Sequence, residues 1–166
     1  MSQVLTIDEM VCAADEWRRE GAVIVLAAGC WDPVHVGHVQ HLKAARAMGN
    51  VLVVSVTGDR YVGKGPGRPL MTDSHRAEVL SSVRDVDAVV VNQSANVVGI
   101  IEALKPHIFA KGVEYIGNRT PQIEAETVAM AAHGGRVEYV TGRIVCSSSA
   151  ILAGVTNRLL REYAGT

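Results

Sequence analysis

Residues 22–38 read AVIVLAAGCWDPVHVGH. Residues 22–28 are an unbroken apolar run with several β-branched members, the composition of a strand buried on both faces. Asp32 and Pro33 then supply a turn, and residues 36–48 continue as a helix that Gly49 closes. A buried strand that gives way to a helix is the opening half of a βαβ unit. The next apolar run, VLVVSV at residues 51–56, supplies the second strand.

Outward from this unit the same alternation continues. Upstream, Thr6 is an N-cap for a helix over residues 7–20, with Glu9 three positions on and Gly21 as the stop. Downstream, a loop rich in glycine and basic residues, TGDRYVGKGPGRPLM at 57–71, precedes a helix that Asp73 or Ser74 caps and that runs to about residue 83. Strands follow at 88–91, 107–110 and 137–140, and helices at 96–104, 122–132 and 148–163. The pattern predicts an α/β, Rossmann-like fold: an open, parallel, five-stranded sheet with helices on both faces, plus an N-terminal helix. It reads as a single domain over residues 1–166, with a helical extension at 1–21 and the α/β core at 22–166.

Composition narrows the function. The chain is 48% apolar with a formal net charge of −1, which argues against a general nucleic-acid or anionic-membrane binder. The acidic N-terminus lacks the form of a signal peptide, and no apolar run reaches the length of a membrane span. Cys12, Cys30 and Cys146 are too dispersed for a disulfide framework and form no CxxC pair, so reduced thiols in the cytoplasm are expected.

In an open parallel sheet, ligands sit at the carboxyl ends of the strands. The loops there are GCWDPVHVGH, TGDRYVGKGPGRP, NQS, KGVEY and TGRIVCSSS. They carry Lys64, Arg68, Lys111 and Arg143, with Arg76 early in the following helix. Positive charge on one edge of a nearly neutral chain points to phosphate as the target. Gly29 ends the first strand where backbone must approach something, and Gly37 lies at the start of a helix whose free N–H groups favour an anion. His35 and His38 are three apart and face the same spot. Two donors there can follow charge developing on a phosphoryl oxygen.

Rival readings are weaker. GDRYVGK nearly spells a Walker A loop, but Gly65 stands where Ser or Thr is needed and GPGRP cannot open a helix. No GxGxxG follows the first strand. The spacing of His35, His38 and His41 would suit zinc, yet no second Cys or acidic cluster supports a metal site, and His41 is expected at the surface. The EAETVAMAAH stretch reads as ordinary helix packing, with Glu124 or Glu126 open as a partner-facing residue.

HVGH in this setting resembles the HxGH signature of the nucleotidyltransferase superfamily that includes the cytidylyltransferase-like enzymes and adenylyltransferases. The resemblance extends through GRPLMTDSHR, VDAVV, KPHIFAKGVEY and CSSSAI, and covers residues 22–152. The nearest type is the heptose 1-phosphate adenylyltransferase, whose domain commonly accompanies a sugar kinase; here Trp31 stands where Phe is usual. The resemblance implies transfer of a nucleoside monophosphate from an NTP, with ATP favoured, to a sugar phosphate, releasing pyrophosphate. CTP with glycerol 3-phosphate or another polyol phosphate is the alternative, and a nucleotide-binding regulatory module without turnover is the alternative of another class.

On that resemblance His35 and His38 donate to the α-phosphate and the leaving pyrophosphate, and Arg68 and Arg76 join them as catalytic phosphate-holding residues. Gly29, Cys30, Trp31, Asp32, Gly37, Lys111, Gly112 and Ser147 line the nucleotide site, with Ser148 and Ser149 on the distal phosphates. Asp59, Lys64 and Arg143 hold a phosphate or the acceptor. Mg²⁺ is expected mainly through the NTP phosphates, with Asp32 as the only protein contact considered. Related enzymes are often dimers, which makes a homodimer one option; the sequence leaves the oligomeric state open.

Overall fold

The structure is a computed structural model that describes residues 3–117, 120–140 and 147–164, with side chains to residue 156 in the last segment. Its strands are β1 (Gln3–Leu5), β2 (Ile24–Gly29), β3 (Val51–Thr57), β4 (Ala88–Asn92), β5 (Ile108–Gly112) and β6 (Arg136–Val140). They lie side by side in the order β1-β4-β3-β2-β5-β6, every pair parallel. The helices are α1 (Ile7–Arg19), α2 (Val36–Arg46), α3 (Asp73–Ser81), α4 (Val98–Leu104), α5 (Pro121–Ala131) and α6 (Ser148–Ala164).

The Rossmann-like α/β architecture is as expected, but among the described residues the sheet has six strands rather than five. The extra strand, β1, pairs Gln3 with Ala88 and Leu5 with Val90 at the sheet edge. It is short and half-exposed, so it has no apolar run to announce it. Thr6 caps α1 in a capping box with Glu9. Met10 and Ala14 are fully buried in the core, so the N-terminal segment is built into the fold.

Side chains alternate across each strand, so the central strands feed two cores. On one face Leu26, Val53, Val90 and Phe109 pack with Met10 of α1, Leu104 of α4 and Met130 of α5. On the other, Ala27, Val54, Val89 and Ala110 pack with Leu42 of α2 and Leu80 of α3. Gly49 closes the α2–β3 turn because a β-carbon there would sit 2.6 Å from the Val23 carbonyl oxygen.

The boundaries shift where local capping decides them. Thr72, not Asp73 or Ser74, caps α3, accepting from the His75 N–H. Thr120 caps α5, whose first residue is Pro121. Short 3₁₀ turns at Asp59–Tyr61 and Val113–Tyr115 occupy stretches read as loops; three residues are too few to show a period.

The topology fixes the site. From β2 the chain runs outward through β3 and β4 on one side, then returns to lay β5 and β6 on the other. The strand order therefore reverses beside β2, and its carboxyl end opens into the crevice such reversals create.

Candidate active site

The turn after β2 and the first residues of α2 form the centre of the site. His35 is the N-cap of α2: its Nδ1 accepts from the Gly37 N–H at 3.1 Å. The His35 N–H in turn donates to Nδ1 of His38 at 3.4 Å. The two rings stack with centroids 3.8 Å apart. With both Nδ1 atoms accepting, each neutral ring keeps its proton on Nε2. Burial, helped by the nearby Lys64 charge, lowers the His35 pKa. Burial, then His35, Lys64 and His41, brings His38 down to about 4. The pair is therefore neutral at pH 7; His35 presents an Nε2–H donor, and the His38 ring N–H has the Pro33 carbonyl beside it.

Trp31 supports the histidines from below. It is 4% exposed, its indole N–H donates to the Ser55 carbonyl at 2.9 Å, and its ring meets His38 edge-on at 5.1 Å. The close approach of the indole explains Gly29, where a β-carbon would lie 3.2 Å from the ring. Trp31 itself has φ of 55°, a strained value for a bulky residue that its buried contacts hold in place.

A cavity of about 1120 Å³ opens above these residues. Gly29, Cys30, Trp31, His35, Gly37, His38 and Lys64 line it from the β2 side and the 57–71 loop. Lys111, Gly112, Ser147, Ser148 and Ser149 line it from β5 and the start of α6. The hydroxyl of Ser148, a residue 5% exposed, donates to the Pro33 carbonyl at 3.2 Å. Ser147 accepts from the Ala150 N–H and caps α6. The imidazole pair and the serine-tipped helix thus face one hollow.

Asp32, Asp59, Arg68 and Arg76 stand outside that lining. Arg76 is fully buried and donates to the Met71 carbonyl at 3.0 Å, the Cys30 carbonyl at 2.5 Å and Asp59 Oδ1 at 2.6 Å. Asp32 is also fully buried; it accepts from Arg68 Nε at 2.7 Å and from the N–H groups of Leu70 and Met71. Burial alone would raise the Asp32 carboxyl pKa, but the Leu70 and Met71 N–H groups and Arg68 overcome it and hold it low. Arg68 donates as well to the Asp32 carbonyl. In this structure these four residues clamp the 57–71 loop to the end of β2.

Three of the cations expected on that edge have carboxylate partners. Arg68, Arg76 and Lys111 are ion-paired with Asp32, Asp59 and Glu126. Lys111 Nζ lies 2.5 Å from Glu126 Oε2 and 4.8 Å from the ring centroids of Phe109 and Tyr115. Glu126 is 2% exposed and steadied by Gln122, so it faces the chain's own cavity and not a partner. Lys64 is exposed and forms no ion pair among the described residues. Arg143 lies outside the described residues.

Sequence reasoning missed some of the lining. His41, expected at the surface, is half-buried against Trp31 with ring centroids 6.0 Å apart. Its position three residues after His38 on α2 was the available signal. Asn92, Ser55 and Thr57 also line the cavity, at the polar ends of otherwise apolar strands. Among the described residues no group of His, Cys, Asp and Glu is arranged to hold a metal ion.

A family model described as cytidylyltransferase-like matches residues 26–153. The chain belongs to the cytidylyltransferase-like family. The match takes in the HVGH turn, most of the sheet and the start of α6, and it bears out the nucleotidyltransferase resemblance of those motifs. Among curated relatives of this cytidylyltransferase-like domain, Bifunctional protein HldE of Methylobacillus flagellatus is 38% identical over 85% of this chain and 29% of its own length. Bifunctional protein HldE of Pelobacter propionicus is 35% identical over 98% of this chain and 32% of its own length. The chain thus spans about a third of these relatives. Among solved structures, the lipopolysaccharide core biosynthesis protein of Thermoplasma volcanium superposes with a TM-score of 0.63 over 74% of this chain and 99% of that one, at 21% identity. Pantoate-beta-alanine ligase of Francisella tularensis gives 0.60 over 86% and 68%, at 12% identity. These two likenesses concern the fold. No helix among the described residues is long and apolar enough to cross a membrane.

Proposed function

We infer that the chain transfers a nucleoside monophosphate from an NTP, with ATP favoured, to a phosphorylated small molecule of the sugar phosphate class, releasing pyrophosphate. The observation that carries this reading is the Ser148–Pro33 hydrogen bond, which sets the α6 serines over the HVGH turn at one cavity. The choice of ATP and a sugar phosphate rests on the likeness of KPHIFAKGVEY to the heptose 1-phosphate adenylyltransferase type.

A phosphate monoester has a second pKa of about 6, so the acceptor is already an anion at neutral pH and needs no general base. Its oxygen attacks the α-phosphorus; the bond from that phosphorus to the bridging oxygen breaks, and pyrophosphate leaves with the electron pair. The demand on the protein is positioning and charge stabilisation. The Nε2–H groups of His35 and His38 donate to the α-phosphate and the departing oxygen. Ser149 and the free backbone N–H groups at the α6 N-terminus hold the distal phosphates, Ser148 positions them through its bond to Pro33, and Lys111 and Gly112 flank the nucleoside. Lys64 supplies positive charge from its exposed loop. Mg²⁺, when bound, neutralises phosphate charge. It would be held through the phosphates, because the Asp32 oxygens are engaged by Arg68, Leu70 and Met71.

The test is pyrophosphate release with ATP, CTP, GTP or UTP, Mg²⁺ and a set of sugar and polyol phosphates. Release with ATP and a sugar phosphate is expected. Nucleotide binding with no release across the whole set would instead mark a regulatory module.

A further inference from the structure

On one sheet face the strands change character toward their carboxyl ends. Val51 and Val53 of β3 are followed on the same face by Ser55 and Thr57, and Ala88 and Val90 of β4 by Asn92. The parallel register pairs Thr57 with Asn92. Ser55, Thr57 and Asn92 therefore form a neutral polar strip, and all of them line the cavity.

Two members of the strip are buried with unmet hydrogen-bonding capacity. Asn92 is 7% exposed, and its Nδ2 donates to the Asn96 carbonyl at 2.8 Å and the Ser94 carbonyl at 3.4 Å. Those two carbonyls fix the amide orientation, since a flipped amide would set oxygen against oxygen. Asn92 Oδ1 is then left without a donor among the described residues. Ser55 is 2% exposed, and its hydroxyl has no partner among them either. Buried polar groups in that state call for a partner that enters the cavity.

The side of the site says which partner. The HVGH turn follows β2 and holds Ser148 through Pro33, while Lys111 and Gly112 end the neighbouring strand β5. An NTP with its α-phosphate at the histidines and its remainder toward β5 leaves the β3–β4 side for the acceptor. The three side chains of the strip offer neutral hydrogen-bonding groups, which suit hydroxyls.

We propose that Ser55, Thr57 and Asn92 select the acceptor by its hydroxyl groups, with Asn92 Oδ1 accepting from a hydroxyl close to the transferred phosphate. The substrate class is a polyhydroxylated phosphate monoester, and this rests on the nucleotidyltransferase reading above.

The test measures binding directly by calorimetry, on the full chain saturated with a non-hydrolysable ATP analogue and Mg²⁺. The ligands are glucose 1-phosphate, ribose 5-phosphate and glycerol 3-phosphate, set against cyclohexyl phosphate and phosphoethanolamine. At least one hydroxylated ligand binds about tenfold or more tightly than either control, because a site built for a hydroxyl rejects analogues that lack it. Asn92→Ala narrows that ratio by weakening the hydroxylated ligand alone. Asn92 also ties the 94–96 loop, so Ser55→Ala with Thr57→Val provides a second variant that leaves the loop bonds intact and narrows the ratio too. Equal binding of all five ligands, binding of none, or a ratio that survives both variants overturns the proposal. Failure of the nucleotidyltransferase reading would show separately, as hydroxyl-dependent binding with no pyrophosphate released when ATP replaces the analogue.

Discussion

Ser148 donates its hydroxyl to the carbonyl oxygen of Pro33 at 3.2 Å, across 115 positions of sequence. That contact fastens the start of the last helix to the turn that carries His35 and His38. Its one hydroxyl proton is engaged there, so Ser148 answers for the geometry of the site. Ser148→Ala should lower kcat on the order of tenfold to a hundredfold while costing only about 1 kcal/mol of stability, the net worth of one hydrogen bond. Steady-state kinetics beside urea unfolding would check this; an unchanged kcat would remove Ser148 from the site.

The two histidines should behave differently from each other. His35 caps α2 and accepts from Gly37, so His35→Ala loses about 1 kcal/mol of stability as well as a donor. His38→Gln keeps an amide donor in the same region and should fold normally. Each substitution should reduce kcat on the order of a hundredfold. The thermal stabilisation given by saturating ATP should persist in both, since the lost interactions belong to the transition state. Loss of nucleotide binding without loss of kcat would reverse that assignment.

Much of this was legible in the sequence, and the reasons are physical. The apolar run at 22–28 and the helix after it were visible because a doubly buried strand leaves no polar alternation to confuse with a loop. HVGH was visible because two imidazoles flank a Val-Gly pair at a strand–helix junction, and the serines at 147–149 because three hydroxyls run together where a helix starts. β1 was not, because its stability comes from pairing with Ala88–Val90 rather than from its own composition. The partners of Arg68, Arg76 and Lys111 were not visible either. Asp32, Asp59 and Glu126 lie 36, 17 and 15 positions away, and nothing local marks them. A cation in a loop reads the same whether it awaits a phosphate or already has a carboxylate.

The histidine pKa values set a pH dependence of stability. His38 lies at about 4 in the folded chain against 6.5 for the free side chain. Between those values the unfolded chain binds the proton more readily, so stability is full above about pH 6.5 and falls as the pH drops toward 4. His35 and His41, lowered chiefly by burial, add in the same direction. Unfolding midpoints measured from pH 7.5 to 4.5 should decline, and His38→Gln should flatten the slope. An NMR titration showing His38 protonated by pH 6 would contradict the burial argument.

Arg76 donates through Nε, Nη1 and Nη2 to Met71, Cys30 and Asp59, and it is fully buried. Its planar fork matches those acceptors in a way that a lysine ammonium cannot. Arg76→Lys should therefore destabilise the chain by roughly 3 kcal/mol, as expected when a buried, hydrogen-bonded charge is lost. Activity should fall with it, because Cys30 lies between Gly29 and the HVGH turn. A variant that keeps its unfolding midpoint but loses activity would return Arg76 to direct phosphate binding.

Lys111 and Glu126 offer the sharpest separation of stability from function. Both are almost fully buried, at 9% and 2% exposure, and the pair lies on the cavity wall. Removing one partner strands the other charge away from water, so Lys111→Met and Glu126→Leu should each cost roughly 3 to 5 kcal/mol. Replacing both at once leaves no stranded charge, and the double variant should regain most of that loss. Nucleotide affinity should not return with it if Lys111 faces the NTP. A cycle of urea unfolding and ATP binding on the two single variants and the double variant reads both quantities. A double variant that recovers stability and binds ATP like the parent chain would make the pair a structural device, with the nucleotide held by other residues of the cavity.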